Sequence, residues 1–255
     1  MYDNNSNYEA PANMPKAAGK INFSTSAKND YATNEAFKTL RSNLLFCGTE
    51  IKTILITSTL ENEGKSTISI ELAKSLAEIG KRALLIDADM RKSAILPRSL
   101  KNQGVLGLAE YLSGQASIEQ VLYNTQLDEL DIIFSSAFPP NPVELLNSKE
   151  FENLIEGFKS IYDYIIIDTP PLGLVIDAAV ISTVCDGAII VITPNKAKYS
   201  DAIDVKEQLI KSGCRILGAV INETDSRHLD QTRAYKKRNY YYSADPKAKT
   251  KKKRR

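Results

Sequence analysis

The stretch Thr53-Ile54-Leu55-Ile56-Thr57-Ser58-Thr59-Leu60-Glu61-Asn62-Glu63-Gly64-Lys65-Ser66-Thr67 runs from an apolar segment through a short polar loop into a helical pattern. It reads as strand, phosphate loop and helix. Backbone N–H groups of such a loop, and the positive end of the helix behind it, face a phosphate; Lys65 reaches the terminal phosphates and the Ser66 hydroxyl ligates Mg²⁺. The core Gly64-Lys65-Ser66-Thr67 fits the pattern G-x-x-x-x-G-K-[ST], but Thr59 stands where that pattern has its first glycine. Glycine is favoured there for tight or left-handed backbone, and Asn62 is the residue expected to supply that freedom instead.

Two further apolar runs end in carboxylates. Ala83-Leu84-Leu85-Ile86 leads to Asp87-Ala88-Asp89-Met90-Arg91, and Tyr164-Ile165-Ile166-Ile167 leads to Asp168-Thr169-Pro170-Pro171. A lone Asp after a strand is ordinarily a turn residue or a helix cap. In an open parallel sheet, however, ligands sit beyond the carboxyl ends of the strands, where Asp87, Asp89 and Asp168 can converge on a metal beside the phosphate loop. Strands and helices alternate along the chain, with further strands expected at 130–134, 187–193 and 216–222. Helices are expected from Thr33, after Lys65, at 144–146, at 151–158 and at 200–212, and a short one among the loops of 92–117. The pattern predicts an α/β fold, a parallel sheet covered by helices on both faces.

These motifs resemble those of the bacterial tyrosine kinases: residues 59–67 look like the Walker A loop, 84–91 like the Walker A′ motif with its D-x-D-x-R, and 165–171 like Walker B. The resemblance runs from about Tyr31 to the cluster Tyr240-Tyr241-Tyr242. It implies a P-loop NTPase fold related to the MinD/ParA-like ATPases, and an ATP- and Mg²⁺-dependent protein-tyrosine kinase regulating capsule or exopolysaccharide synthesis and export. The nucleotide would be held by Asn62, Glu63, Gly64, Lys65, Ser66 and Thr67, and the metal by Ser66, Asp87 and Asp168. Lys65, Asp87, Asp89 and Asp168 would be the catalytic set, with Asp87 placed to orient or deprotonate the phenol and Asp89 as second acid of the metal shell. Spacing leaves open which of the two is the base. Asn222, at the end of the last strand, either reads the adenine edge or is a turn residue. Arg91 either pairs a phosphate or makes a structural salt bridge.

The phosphoacceptors implied are Tyr235, Tyr240, Tyr241 and Tyr242, reached in trans on a neighbouring subunit. The family's E-x-x-R-x-x-R helix, which joins subunits into a ring, corresponds here to Glu35, Lys38 and Arg41, with Lys38 in place of the first arginine; the alternative is a solvated charged face. Partners implied are further copies of the chain, a separate membrane activator of the polysaccharide co-polymerase type and a cognate tyrosine phosphatase, with no specific nucleic acid. The expected location is the cytoplasm, at the inner face of the plasma membrane when recruited by a partner.

Bulk properties agree. The 255 residues are 43% hydrophobic and 25% charged, as in an ordinary soluble protein. From Arg227 onward twelve Lys/Arg face two Asp, about +10, leaving about −8 for the rest of a chain whose formal net charge is +2. Residues 1–30, poor in large apolar side chains, are expected to be a flexible leader, 31–226 a P-loop kinase domain, and 227–255 a basic, tyrosine-rich flexible tail. No apolar run approaches the roughly 20 residues that span a bilayer. The three cysteines, Cys47, Cys185 and Cys214, lack metal-ligand spacing. Interleaved aromatic and basic residues in the tail also suit single-stranded nucleic acid, and 251–255 suits anionic lipid. A switch ATPase of the partitioning or positioning type is the competing function, although such ATPases carry an extra early lysine in the loop, which Thr59-Leu60-Glu61 lacks.

Overall fold

A computed structural model describes residues 15, 17–21, 31–96, 104–136 and 138–224. The tyrosines of the expected acceptor cluster lie outside the described residues. In chain order the elements are β1 (Gly19–Ile21), α1 (Tyr31–Leu45), β2 (Thr53–Ser58), α2 (Lys65–Ala77), β3 (Ala83–Asp87), α3 (Leu108–Leu112), α4 (Ile118–Val121), β4 (Leu122–Thr125) and β5 (Leu130–Ile133). They continue with α5 (Pro142–Leu146), α6 (Lys149–Lys159), β6 (Tyr164–Asp168), α7 (Asp177–Ile181), β7 (Gly187–Ile192), α8 (Tyr199–Lys211) and β8 (Ile216–Ile221).

The strands form one eight-stranded sheet in the order β1-β4-β5-β3-β6-β2-β7-β8. All neighbours are parallel except β4 and β5. Side chains of a strand alternate between faces, so a strand sandwiched between two helical layers must be apolar throughout. β2 shows the result: Leu55 enters one core with Phe151, Ile155 and Phe158 of α6 and Val205 and Leu209 of α8. Its neighbours Ile54 and Ile56 enter the other, with Leu72 and Leu76 of α2 and Leu44 of α1. Ser148 caps α6 by accepting a 3.2 Å hydrogen bond from the Phe151 amide, the usual satisfaction of a first-turn donor. Gly80, at φ 75°, turns the chain out of α2 toward β3.

Two expectations need correction, and a third gains a detail. Residues 19–21 do not belong to a flexible leader: they pair in parallel with Tyr123, Asn124 and Thr125 as an edge strand, where main-chain bonding to β4 compensates for a polar sequence that buries only Ile21. The expected sheet, mostly parallel, holds one antiparallel pair, because only residues 126–129 join β4 to β5, too short a connection for a parallel crossover. Helix α1 begins at Tyr31, ahead of the expected start at Thr33; of its apolar positions only Leu44 is buried, while Ala36 and Leu45 face solvent. Among the described residues no helix is long and apolar enough to cross a membrane.

Candidate active site

The carboxyl ends of β2, β3 and β6 bring the motif residues together. β6 lies between β3 and β2, and Asp87 and Asp168 stand opposite one another in register. Gly64 precedes α2 with φ 84°, and no side chain caps that helix. A Cβ on Gly64 would collide with the Asn222 amide, so the loop closes on Asn222 in a way that only glycine permits. Asn62 takes φ 58°, the left-handed freedom expected of it, while Thr59 has no positive φ and needs no glycine.

Around this loop lies a cleft of about 400 Å³, lined by Asn62, Gly64, Lys65, Ser66, Thr67 and Asp89 and, on another side, by Pro170, Pro171, Leu174 and Val175. The Lys65 ammonium donates to Asp89 Oδ2 at 3.1 Å. Ser66 Oγ donates to Asp168 Oδ2 at 2.6 Å and Ser69 Oγ to Asp168 Oδ1 at 2.9 Å. Asp87 is fully buried behind them: its Oδ2 accepts from Ser93 and Ser135, and its Oδ1 from the Asp89 amide. Asp89 Oδ1 accepts the amides of Arg91 and Lys92. Arg91 grips Asp177 with two bonds of 2.8 and 2.9 Å, so its side chain makes the structural salt bridge of the two roles considered.

Glu63 turns its side chain away from the cleft. It is fully buried, its carboxylate held by Thr59, Leu60 and Thr193, and its carbonyl accepts from Asn222 Nδ2 at 2.9 Å. Asn222 thus ties the end of β8 to the loop. The Glu35, Lys38 and Arg41 side chains do not share one open flank. Lys38 and Glu35 form an exposed 2.8 Å pair, but Arg41 reaches across to α2 and donates to Ser75 O at 2.6 Å.

The residues fit a Mg²⁺-nucleotide. An uncapped helix start, a glycine cradle and a lysine suit phosphates. Serine and carboxylate oxygens suit a hard cation that phosphates help to bind, and among the described residues no cluster of three or more His, Cys, Asp or Glu could hold a metal on its own. The sequence motifs did not reveal Asp177, Ser69, Ser93 or Ser135. Asp177 left one signal, a lone charge in the apolar run Val175-Ile176-Asp177-Ala178-Ala179-Val180.

Burial, and then the Asp168 carboxylate, push Asp87 up to about 7 from an ordinary 3.8. Between those values the folded chain keeps a proton that the unfolded chain releases. The resulting stabilisation is complete below the unfolded value and is lost as the pH rises through about 7. Without metal or nucleotide, raising the pH from about 5.5 to about 8 should cost the native chain roughly 2 kcal/mol more than it costs Asp87→Asn. Urea melts in chelator at both pH values measure this; equal slopes for the two proteins would refute it.

A family model described as an AAA domain matches residues 51–217. The chain is 44% identical over 194 residues to the tyrosine-protein kinase CpsD of Streptococcus agalactiae, covering 76% of this chain and 84% of that protein. It resembles the crystal structure of the chimerical protein CapA2B2 with a TM-score of 0.72 at 30% identity, over 82% of this chain and 94% of the other. A more distant likeness, TM-score 0.56 at 28% identity, is to the septum site-determining protein MinD of Pyrococcus horikoshii OT3 complexed with Mg-ADP, over 67% of this chain and 70% of that one.

Proposed function

This chain belongs to the bacterial tyrosine-protein kinases built on a P-loop AAA-type domain, and on that premise we propose that it transfers the ATP γ-phosphoryl group to Tyr235, Tyr240, Tyr241 and Tyr242 of a second copy, and so regulates capsule or exopolysaccharide synthesis and export. The observation that carries this is the meeting of Lys65, Ser66 and Asp89 at one cleft, with buried Asp168 behind, bonded to the Ser66 hydroxyl.

ATP enters with its β- and γ-phosphates on the loop amides, and Lys65 stabilises the charge that builds on the transferring group. Mg²⁺ would be held by Ser66 and Asp168, with Asp87 behind, and would neutralise charge on the phosphate oxygens. The phenol is oriented and deprotonated by Asp89, since Asp89 lines the cleft and Asp87 does not. Asn222 steadies the loop by its bond to Glu63, and adenine would lie on its side of the loop. Each phosphate added to the tail contributes about −1.5 to −2 charge, so three would offset much of its basicity and release it from an acidic site.

Helix α1 leaves most of its surface in solvent, room for a neighbouring copy in a ring. A contact through Glu35 and Lys38 is then direct, whereas Arg41 must first leave Ser75. A separate membrane activator of the polysaccharide co-polymerase type would bring the chain to the inner face of the plasma membrane, and a cognate tyrosine phosphatase would reset it.

Intact mass after incubation with ATP and Mg²⁺, followed by peptide mapping, tests the reading. Stepwise phosphate additions at the four tyrosines, absent in Lys65→Met, are expected. Steady release of inorganic phosphate with no addition, even with an activator's cytoplasmic segment present, would favour a switch ATPase of the MinD kind.

A further inference from the structure

A tyrosine kinase must seat an aromatic ring beside the phosphate it transfers, and the cleft has one wall suited to that. The turn after β6 carries Pro170, Pro171, Leu174 and Val175 into the cleft, and Ile176 just beyond it. Leu174 is 53% exposed and Ile176 59%. An exposed leucine is unremarkable in itself. Here, however, the turn that presents it is held on several sides. Thr57 Oγ1 donates to Pro170 O at 3.0 Å and accepts from the Leu172 amide at 3.1 Å. The amides of Leu174 and Val175 both donate to Pro171 O, at 3.0 and 3.2 Å. Gly173 lies so close to the Thr59 carbonyl that a Cβ would collide with it. Behind the turn, buried Asp177 fixes the Arg91 guanidinium, which lines the same cleft with 41% of its side chain exposed.

Two apolar side chains are thus kept in water by a turn that is not free to bury them. Topology indicates which flat group they meet. The turn follows β6, next to β3 with its Asp89, whereas Asn222 ends β8, on the other side of β2. With adenine on the Asn222 side, as the proposed function has it, the base and the apolar wall would lie on opposite sides of the phosphate loop, and the wall would be left on the side of Asp89.

We propose that Leu174, flanked by Pro171 and Ile176, is the seat of the acceptor tyrosine's ring, with the Arg91 guanidinium held to meet the same ring. The inference rests on the kinase reading and deepens it: the wall selects an aromatic acceptor over a serine or threonine, whose short side chains leave it uncovered. The occupant is a tyrosine of the basic tail of a second copy, whose charge of about +10 is drawn to a body of about −8.

The test is a binding cycle on the full chain loaded with Mg²⁺ and a non-hydrolysable ATP analogue. The probes are a fluorescent peptide with the sequence of residues 233–242 and its counterpart with serine at all four tyrosine positions. Leu174→Ser should weaken the tyrosine peptide roughly tenfold, the scale of one ring on one apolar side chain, and change the serine peptide less than about twofold. Leu174→Met should bind as the native chain does, and nucleotide affinity should be unchanged in both variants. Equal weakening of the two peptides, no preference of the native chain for the tyrosine peptide, or a parallel loss of nucleotide affinity would each overturn the seat. Transfer to the peptide with ATP and an activator's cytoplasmic segment present, followed in parallel, judges the kinase reading separately: binding without transfer sinks that reading and leaves the seat standing as a tyrosine-binding site.

Discussion

Lys65→Met is expected to slow phosphoryl transfer by about 10³-fold or more while the chain remains folded. Burial pulls the Lys65 pKa down, but the Asp168 and Asp89 carboxylates more than offset that and leave it above the ordinary 10.5, so the side chain is cationic at any working pH. Methionine keeps much of the apolar stem and removes the charge. Two consequences follow from the same deletion. The γ-phosphate loses the cation that meets its developing charge, and the acids lose their counter-charge. Asp168, which burial already pushes up, then rises further and is a poorer partner for Mg²⁺. Nucleotide affinity should therefore fall along with transfer, the larger loss being in transfer. Single-turnover assays at saturating ATP separate the two effects, and transfer within tenfold of the native rate would show that the phosphate charge is met by some other group.

How much of this was legible in advance depended on whether a signal was local. The strand, loop and helix from Thr53 onward and the acids at Asp87, Asp89 and Asp168 could be read because an apolar run followed by a polar residue needs no knowledge of the rest of the chain. Parallel strands bring their carboxyl ends to one edge, and Asp87 and Asp168 stand opposite one another there, but both are buried and of the three acids only Asp89 lines the cleft. Contacts made across the fold were not legible. Arg91 meets Asp177 across 86 positions, and Arg41 meets Ser75 across 34, which takes it off the flank it was expected to share with Glu35 and Lys38. Gly19–Ile21 escaped for a different reason: a three-residue edge strand is held by main-chain bonds, which leave little trace in side-chain pattern. Glu63 lies in the loop as expected, but spacing alone does not give the orientation of its carboxylate, which turns to the core and not to the cleft.

That orientation carries the largest stability effect. Glu63 Oε2 accepts from the Thr59 amide at 2.8 Å, Thr59 Oγ1 at 2.7 Å and the Leu60 amide at 2.7 Å, and Oε1 accepts from the Thr193 amide at 2.9 Å. One buried carboxylate thus holds the start of the phosphate loop and fastens it to the end of β7. Where the usual loop has a glycine, this one has Thr59 pinned by a side chain from within the loop, and the left-handed turns fall at Asn62 and Gly64 instead. Glu63→Ala removes the acceptor for three amides at once, those of Thr59 and Thr193 buried and that of Leu60 partly so. Each unpaired donor costs roughly 1–3 kcal/mol, so a total loss of about 4 kcal/mol is expected, a large part of the 5–15 kcal/mol that holds a typical domain together. The Thr59 hydroxyl can turn elsewhere and adds little. Glu63→Gln keeps the shape but directs an amide N–H₂ at groups that are themselves donors. It should cost about half as much, and because the distorted segment leads into the loop, its nucleotide affinity should fall more than its stability does. Urea melts with and without nucleotide distinguish these outcomes. A loss below about 1 kcal/mol for Glu63→Ala would mean that water or a shifted loop satisfies the three amides, and that the missing glycine is compensated elsewhere.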